Sequence, residues 1–213
     1  MAKLTGPQIA QEGLTGWAHL LRGLQTRIHT ETFAAGLALV DAVGAVAEEM
    51  NHHPDLDLRY THVDVRLTSH DAGGVTGRDV RLARAISTLA ADAGVRLDSS
   101  AVSLLELGLD TPDRASVRPF WAAMTGMEPD AGGDLHDPAG TLPNVWFQAS
   151  GDEEPRQRWH LDVWVEPAQV RSRIEAAVAA GGRLVSDSEA PSYWVLADPE
   201  GNHACLCTWE ERG

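Results

Sequence analysis

Apolar residues recur at helical spacing through residues 30–50, at Phe33, Leu37, Val40, Val43, Ala47 and Met50. This predicts an amphipathic helix with that stripe turned inward. Pro54 ends it, because a proline lacks the amide proton and restricts the residue before it. The rhythm then changes to strict alternation. Thr61, Val63, Val65 and Leu67 fall on one face, and His62, Asp64 and Arg66 on the other, which predicts a strand. An earlier strand over residues 21–27 is weakly marked. Ala72-Gly73-Gly74 reads as a turn. Thr76 then reads as an N-cap, with Asp79 three residues on as in a capping box. The helix that follows runs to about residue 93, with Leu82, Ala83, Ile86, Leu89 and Ala90 inward and Gly94 as its stop.

Residues 94–100 are a boundary, which divides the chain into domains at 1–97 and 102–213. Beyond it the pattern predicts a strand over 102–110, a helix over 114–125, and strands near 145–148 and 159–165. A second helix spans 168–180, with Val170, Ile174, Ala177 and Val178 inward and Gly181 as its stop. Strands over 193–197 and 203–209 are joined by the turn Asp198-Pro199-Glu200-Gly201-Asn202. Strand–helix–strands thus occurs twice, so the second half reads as internally duplicated. Residues 129–142, rich in Gly, Asp and Pro, read as loop.

Composition narrows the function. The 213 residues are 43% hydrophobic, enough for each half to bury a core. The formal charge of −14, from 17 basic against 31 acidic side chains, argues against nucleic acid and anionic membranes as partners. Lys3 is the only lysine, which argues against Schiff-base catalysis. Cys205 and Cys207 are two residues apart, a poor geometry for a bridge, and read as free thiols in a reducing compartment. Neither an apolar signal core nor a run of roughly 20 apolar residues is present. A cytoplasmic protein is expected.

The candidate chemistry of the first half lies in Asn51-His52-His53-Pro54 and in Ser69-His70 with Asp79. Three imidazoles bracket one strand, and imidazole exchanges protons near neutrality at little cost. Structural roles compete. Histidines suit a helix C-terminus, Asp79 is explained by capping alone, and His62 reads as a solvated residue. Zinc on three histidines is a further possibility, but no fourth ligand lies near in sequence.

The pattern Glu49-x-Asn51-His52-His53-Pro54, Tyr60, Val63, Leu67, Ser69-His70, Gly74-x-Thr76 and Asp79 resembles the pterin-4a-carbinolamine dehydratase family. The resemblance implies a small α+β domain, an antiparallel sheet with helices on one face. It implies loss of water from 4a-hydroxytetrahydropterin to give the quinonoid dihydropterin, without metal or organic cofactor. His52, His53 and His70 match the family histidines and Asp79 its carboxylate. In this reading His53 or His70 is the acid or base at the leaving hydroxyl, and His52 binds and orients the pterin. Self-association into a homodimer is also implied. The segment before the histidine pair departs from the family, with Phe33 its one clear aromatic.

In the second half, Leu104, Glu106 and Gly108, then Phe120-Trp121, Arg158-Trp159-His160-Leu161-Asp162-Val163 and the Asp198–Asn202 turn, resemble the glyoxalase-like, vicinal-oxygen-chelate superfamily. The resemblance implies paired βαβββ modules around a pocket. Strand alternation places Glu106, Trp146, Gln148, His160, Asp162, Trp164 and Cys205 on one face. Glu106 and His160 fall near the superfamily's ligand positions, Cys205 stands where a Glu is usual, and Gln148 is a weak further candidate. A Glu–His–Cys set could hold zinc or could be a metal site turned into a ligand pocket; the reading assigns no metal and expects a second small-molecule ligand. Two rivals remain: a metal-dependent lyase or dioxygenase in the second domain, and a binding protein that turns nothing over.

Overall fold

The structure, a computed structural model, describes residues 2–150, 158–197 and 201–211; of Phe120, Ala123 and Met124 only the backbone is described. The Asp198-Pro199-Glu200 part of the expected turn therefore lies outside the described residues. The chain divides into two compact units. Unit 1 is Met1–Ser103 with Val165–Gln169 and Thr208–Gly213; unit 2 is Leu104–Trp164 with Val170–Cys207.

Unit 1 contains α1 (Gly6–Gln11), β1 (Ala18–Leu20), β2 (Gly23–His29), α2 (Phe33–Met50), β3 (Asp55–Leu58), β4 (His62–Leu67), α3 (Gly77–Asp92) and β5 (Arg96–Asp98). The strands form an antiparallel sheet in the order β1-β2-β4-β3, with β5 also paired to β2. Its two central strands alternate as their sequences demand. Leu24 faces Leu67, Thr26 faces Val65 and Ile28 faces Val63, all buried. They share one core with Leu39 and Val43 of α2 and with Leu82, Ala83 and Ile86 of α3. Thr26, the polar member, donates its hydroxyl to the Gly16 carbonyl at 2.6 Å, so it is buried without an unmet group. On the opposite face Arg27 makes two 2.7 Å bonds to the Asp64 carboxylate.

The expected stripe of α2 is corrected in part. Val43 and Ala47 are buried, and Val40 and Met50 pack against the core, but Phe33 and Leu37 are 48% and 54% exposed. Gly36 and Leu39 face inward instead. A Cβ on Gly36 would lie 2.6 Å from Leu58 Cδ1 and 3.2 Å from Thr30 Oγ1. The helix start approaches β3 too closely for any face but the glycine. The capping box of α3 forms as expected, with Thr76 and Asp79 as its pair.

His19 on β1 is a polar residue under strain of burial. Its Nδ1 is buried with no hydrogen-bond partner among the described residues. Burial, and then the nearby Lys3 charge, lower its pKa to about 4.

Unit 2 contains β6 (Leu104–Thr111), α4 (Arg114–Thr125), β7 (Glu128–Pro129), β8 (Leu135–His136), β9 (Asn144–Ala149), β10 (Trp159–Trp164), α5 (Val170–Ala179), β11 (Arg183–Ser186), β12 (Tyr193–Ala197) and β13 (His203–Cys207). They build one sheet in the order β11-β12-β13-β10-β6-β9-β8-β7. The order is the duplication made visible. Each module opens with a strand (β6 or β10) that pairs parallel with its own last strand (β9 or β13). The two opening strands pair antiparallel at the centre. The stretch read as loop carries the two-residue strands β7 and β8. In α5, Val170 is buried but Val178, expected inward, is 46% exposed. The two cysteines, Cys205 half-buried and Cys207 buried, are not bridged to each other.

Candidate functional site

The site in unit 1 begins with the way α2 ends. Asn51 takes the left-handed conformation, φ 46°, that closes many helices. Its amide donates to the Glu48 carbonyl, and the His52 amide reaches back to the Ala47 carbonyl at 3.1 Å. This pair of bonds is the Schellman termination, which turns the chain and the His52 side chain inward.

Asp79 meets it there. His52 Nε2 lies 2.7 Å from Asp79 Oδ1, in a pair whose side chains are 9% and 0% exposed. The other oxygen, Oδ2, accepts the Thr76 amide at 2.7 Å, the Ser69 hydroxyl at 2.7 Å and the Thr76 hydroxyl at 3.3 Å. Ser69 and Thr76 hydroxyls are themselves 2.9 Å apart. A carboxylate surrounded by donors leaves Nε2 as the protonated nitrogen of His52. In the neutral ring Nδ1 is then the acceptor, with its orientation fixed by the Asp79 contact.

The other two histidines are placed differently. His53 is 56% exposed at its side chain, with Nε2 3.1 Å from Glu48 Oε1. His70 is exposed and opens a 3-10 turn, His70–Ala72, directly after Ser69. That turn is pinned by an ion pair of Arg78 with Asp71. Among the described residues no hydrogen bond joins His53 or His70 to His52. The structure thus brings His52 and Asp79 together, and leaves His53 and His70 accessible on the segments that flank them. The sequence marks Thr76 as a cap only and gives Ser69 no role of its own; the structure places both hydroxyls on the Asp79 carboxylate.

With this geometry in hand, comparison with known proteins is decisive for unit 1. A protein of Nocardia farcinica provisionally named a pterin-4-alpha-carbinolamine dehydratase is 43% identical over 89 residues, 41% of this chain and 94% of that protein. The chain belongs to the pterin-4-alpha-carbinolamine dehydratase family. The family's profile matches residues 2–89. A second such dehydratase relative, from Thermomicrobium roseum and also provisionally named, is 39% identical over 42% of this chain and 99% of its own length. A solved structure described as a transcriptional coactivator/pterin dehydratase from Brucella melitensis is 27% identical, covers 41% of this chain and 98% of its own, and superposes with a TM-score of 0.40. The dehydratase family accounts for unit 1 only; residues 106–207 match the profile of a glyoxalase-like domain.

On unit 2, the paired strands put the expected residues on one face. Glu106 stands opposite Asp162, Gly108 opposite His160, Trp146 beside Gly108, and Cys205 beside Asp162. They do not all converge. Glu106 accepts the Trp164 indole N–H at 2.8 Å and lies 3.4 Å from Asn144 Nδ2. Gln148 is exposed. His160, Asp162 and Cys205 do converge, offering ligand atoms that all lie within 4.8 Å of one another. Trp146 meets the His160 ring edge-on, with centroids 5.1 Å apart. The Asp162 hydrogen bond, more than the charges of Asp162 and Asp110, raises the His160 pKa against the opposing effect of burial. Asp110, which sequence reasoning did not single out, has Oδ1 3.6 Å from His160 Nε2.

Proposed function

We propose that unit 1 dehydrates 4a-hydroxytetrahydrobiopterin to the quinonoid dihydropterin by histidine acid–base catalysis. The observation that carries this reading is the buried His52–Asp79 pair within a chain of the dehydratase family. The reaction breaks the C4a–O bond. One imidazolium gives a proton to the leaving hydroxyl, which departs as water. A base removes one proton from a ring nitrogen, and the electron pair of that N–H bond completes the C=N bond. One proton enters and one leaves, so neither metal nor redox cofactor is needed.

Orientation of the pterin falls to His52, whose Nδ1 lone pair is aimed by Asp79 and can accept a ring N–H. His53 or His70 delivers the proton. Both are exposed, so water can reset their protonation between turnovers. Each proton transfer of this kind contributes typically 10²–10⁴-fold. The test is turnover of carbinolamine generated in situ by the full chain and by His53→Ala and His70→Ala. A loss of about 10²-fold or more in one variant is expected. Unchanged rates in both contradict the assignment.

In the same reading the chain works in the cytoplasm as a homodimer. The apolar surface of α2 around Phe33 and Leu37 supports self-association, and a monomer mass by light scattering contradicts it. No helix among the described residues is long and apolar enough to cross a membrane. Unit 2 binds a second small molecule on the sheet face around His160 and Trp146.

A further inference from the structure

We propose that unit 2 holds a zinc ion on His160, Asp162 and Cys205, with Asp110 fixing the His160 ring from its far side. The glyoxalase-like resemblance raises a divalent metal, but the set is not the one the sequence suggested. Glu106 is held by Trp164 and lies outside the group, and Gln148 is exposed. Asp162 takes a place instead, so all three ligands come from β10 and β13 of the second module.

Four observations fit the residues to the ion. The first is the donor set. A neutral imidazole, a carboxylate and a thiolate together suit zinc, whereas the hard ions calcium and magnesium take oxygen ligands only. The second is spacing. Tetrahedral zinc sets its N and O ligands about 3.4 Å apart. His160 Nδ1 and Asp162 Oδ1 are already 3.3 Å apart, and Cys205 Sγ is within 4.8 Å of the group.

The third is the far side of the ring. With Nδ1 turned to Asp162, Nε2 faces Asp110 Oδ1 at 3.6 Å. That oxygen is buried and has no hydrogen-bond partner among the described residues. A ligating histidine characteristically presents its second nitrogen to such a carboxylate, which sets the tautomer and the ring plane. The fourth is Gly108. A Cβ there would lie 2.5 Å from His160 Nε2, so the bare strand position is what lets the ring lie against β6. Trp146 closes the edge, and its Nε1 is also buried without a partner among the described residues.

Three protein ligands leave a fourth position for water or an oxygen of the small molecule. This is the pattern of a zinc site that acts on a ligand and differs from the closed four-ligand structural sites. Zinc would supply a Lewis acid there; the chain supplies the ligands, the ring orientation and the aromatic wall.

The experiment uses the full chain, stripped with a chelator and titrated first with cobalt(II) alone and then with zinc. One cobalt per chain is expected, with the near-ultraviolet charge-transfer absorption of a cobalt–thiolate bond, displaced by zinc. Cys205→Ser should lose that absorption. Asp110→Asn should bind about 10- to 100-fold more weakly. Zinc should also slow alkylation of Cys205 in the unaltered protein, located by peptide mass, which needs no variant to fold. The proposal is overturned by folded wild-type protein that takes up no metal below millimolar concentration. It is equally overturned by the same absorption in Cys205→Ser, or by Cys205 alkylation indifferent to zinc.

Discussion

Asp79 turns its two oxygens to two helix ends: Oδ2 caps α3 through the Thr76 amide, and Oδ1 lies 2.7 Å from His52 Nε2. One buried carboxylate thus ties the start of one helix to the end of another, and it fixes an imidazole while doing so. Capping alone explains only half of it.

The two roles separate by mutation. Thr76→Ala removes the cap hydroxyl but keeps the backbone amide and Ser69 on Asp79. It should cost about 1 kcal/mol of stability and leave turnover within a few-fold. Asp79→Asn keeps the shape but turns a donor toward the network, and it should cost more, about 1–3 kcal/mol. It should also lower dehydration by at least about 10-fold, since the His52 tautomer is no longer set. Denaturant midpoints and initial rates on both variants decide the point. Equal rate losses in the two would mean that Asp79 acts only as a cap.

The inward face of α2 is tested by a pair of leucines two residues apart. Leu39 is 5% exposed and Leu37 is 54% exposed. Leu39→Ala should destabilise by about 2–4 kcal/mol. Leu37→Ala should change stability by no more than about 0.5 kcal/mol. It should also weaken self-association, if that surface joins two copies. Chemical denaturation and light scattering give the two readouts, and a reversed order of the two stability losses would contradict the helix rotation described above.

His19 gives the fold a pH dependence. Its folded pKa of about 4 lies below the ordinary histidine value, chiefly through burial. The folded state therefore keeps it neutral while the unfolded chain takes up a proton. The stability it provides is present above about pH 6.5 and is lost as pH falls towards 4. The loss should be of the order of 1–3 kcal/mol, and His19→Phe should flatten that part of the profile. A variant profile as steep as wild type would contradict the buried, neutral His19.

Much of the architecture was legible from local signals, and what escaped had none. Thr76 and Asp79 marked α3, and the Thr61–Leu67 alternation marked β4, because caps and period-two patterns are written in adjacent residues. The edge strands β1, β3, β5 and β11 are three or four residues each and were not read, since so short a run carries no period. The rotation of α2 was misread because Gly36, which decides it, contributes nothing to an apolar stripe. In the site, His52 and Asp79 were both found, but their contact spans 27 residues and follows from how two helix ends meet. Likewise, the face of unit 2 followed from alternation, whereas the choice of Asp162 over Glu106 beside His160 depends on Trp164 claiming Glu106.

The most direct test of the central claim compares the decay of 4a-hydroxytetrahydrobiopterin, generated in situ and followed by ultraviolet absorbance, with and without the full chain. The account predicts decay faster than the spontaneous rate, proportional to protein and saturating with substrate. Decay at the spontaneous rate at every protein concentration would contradict it.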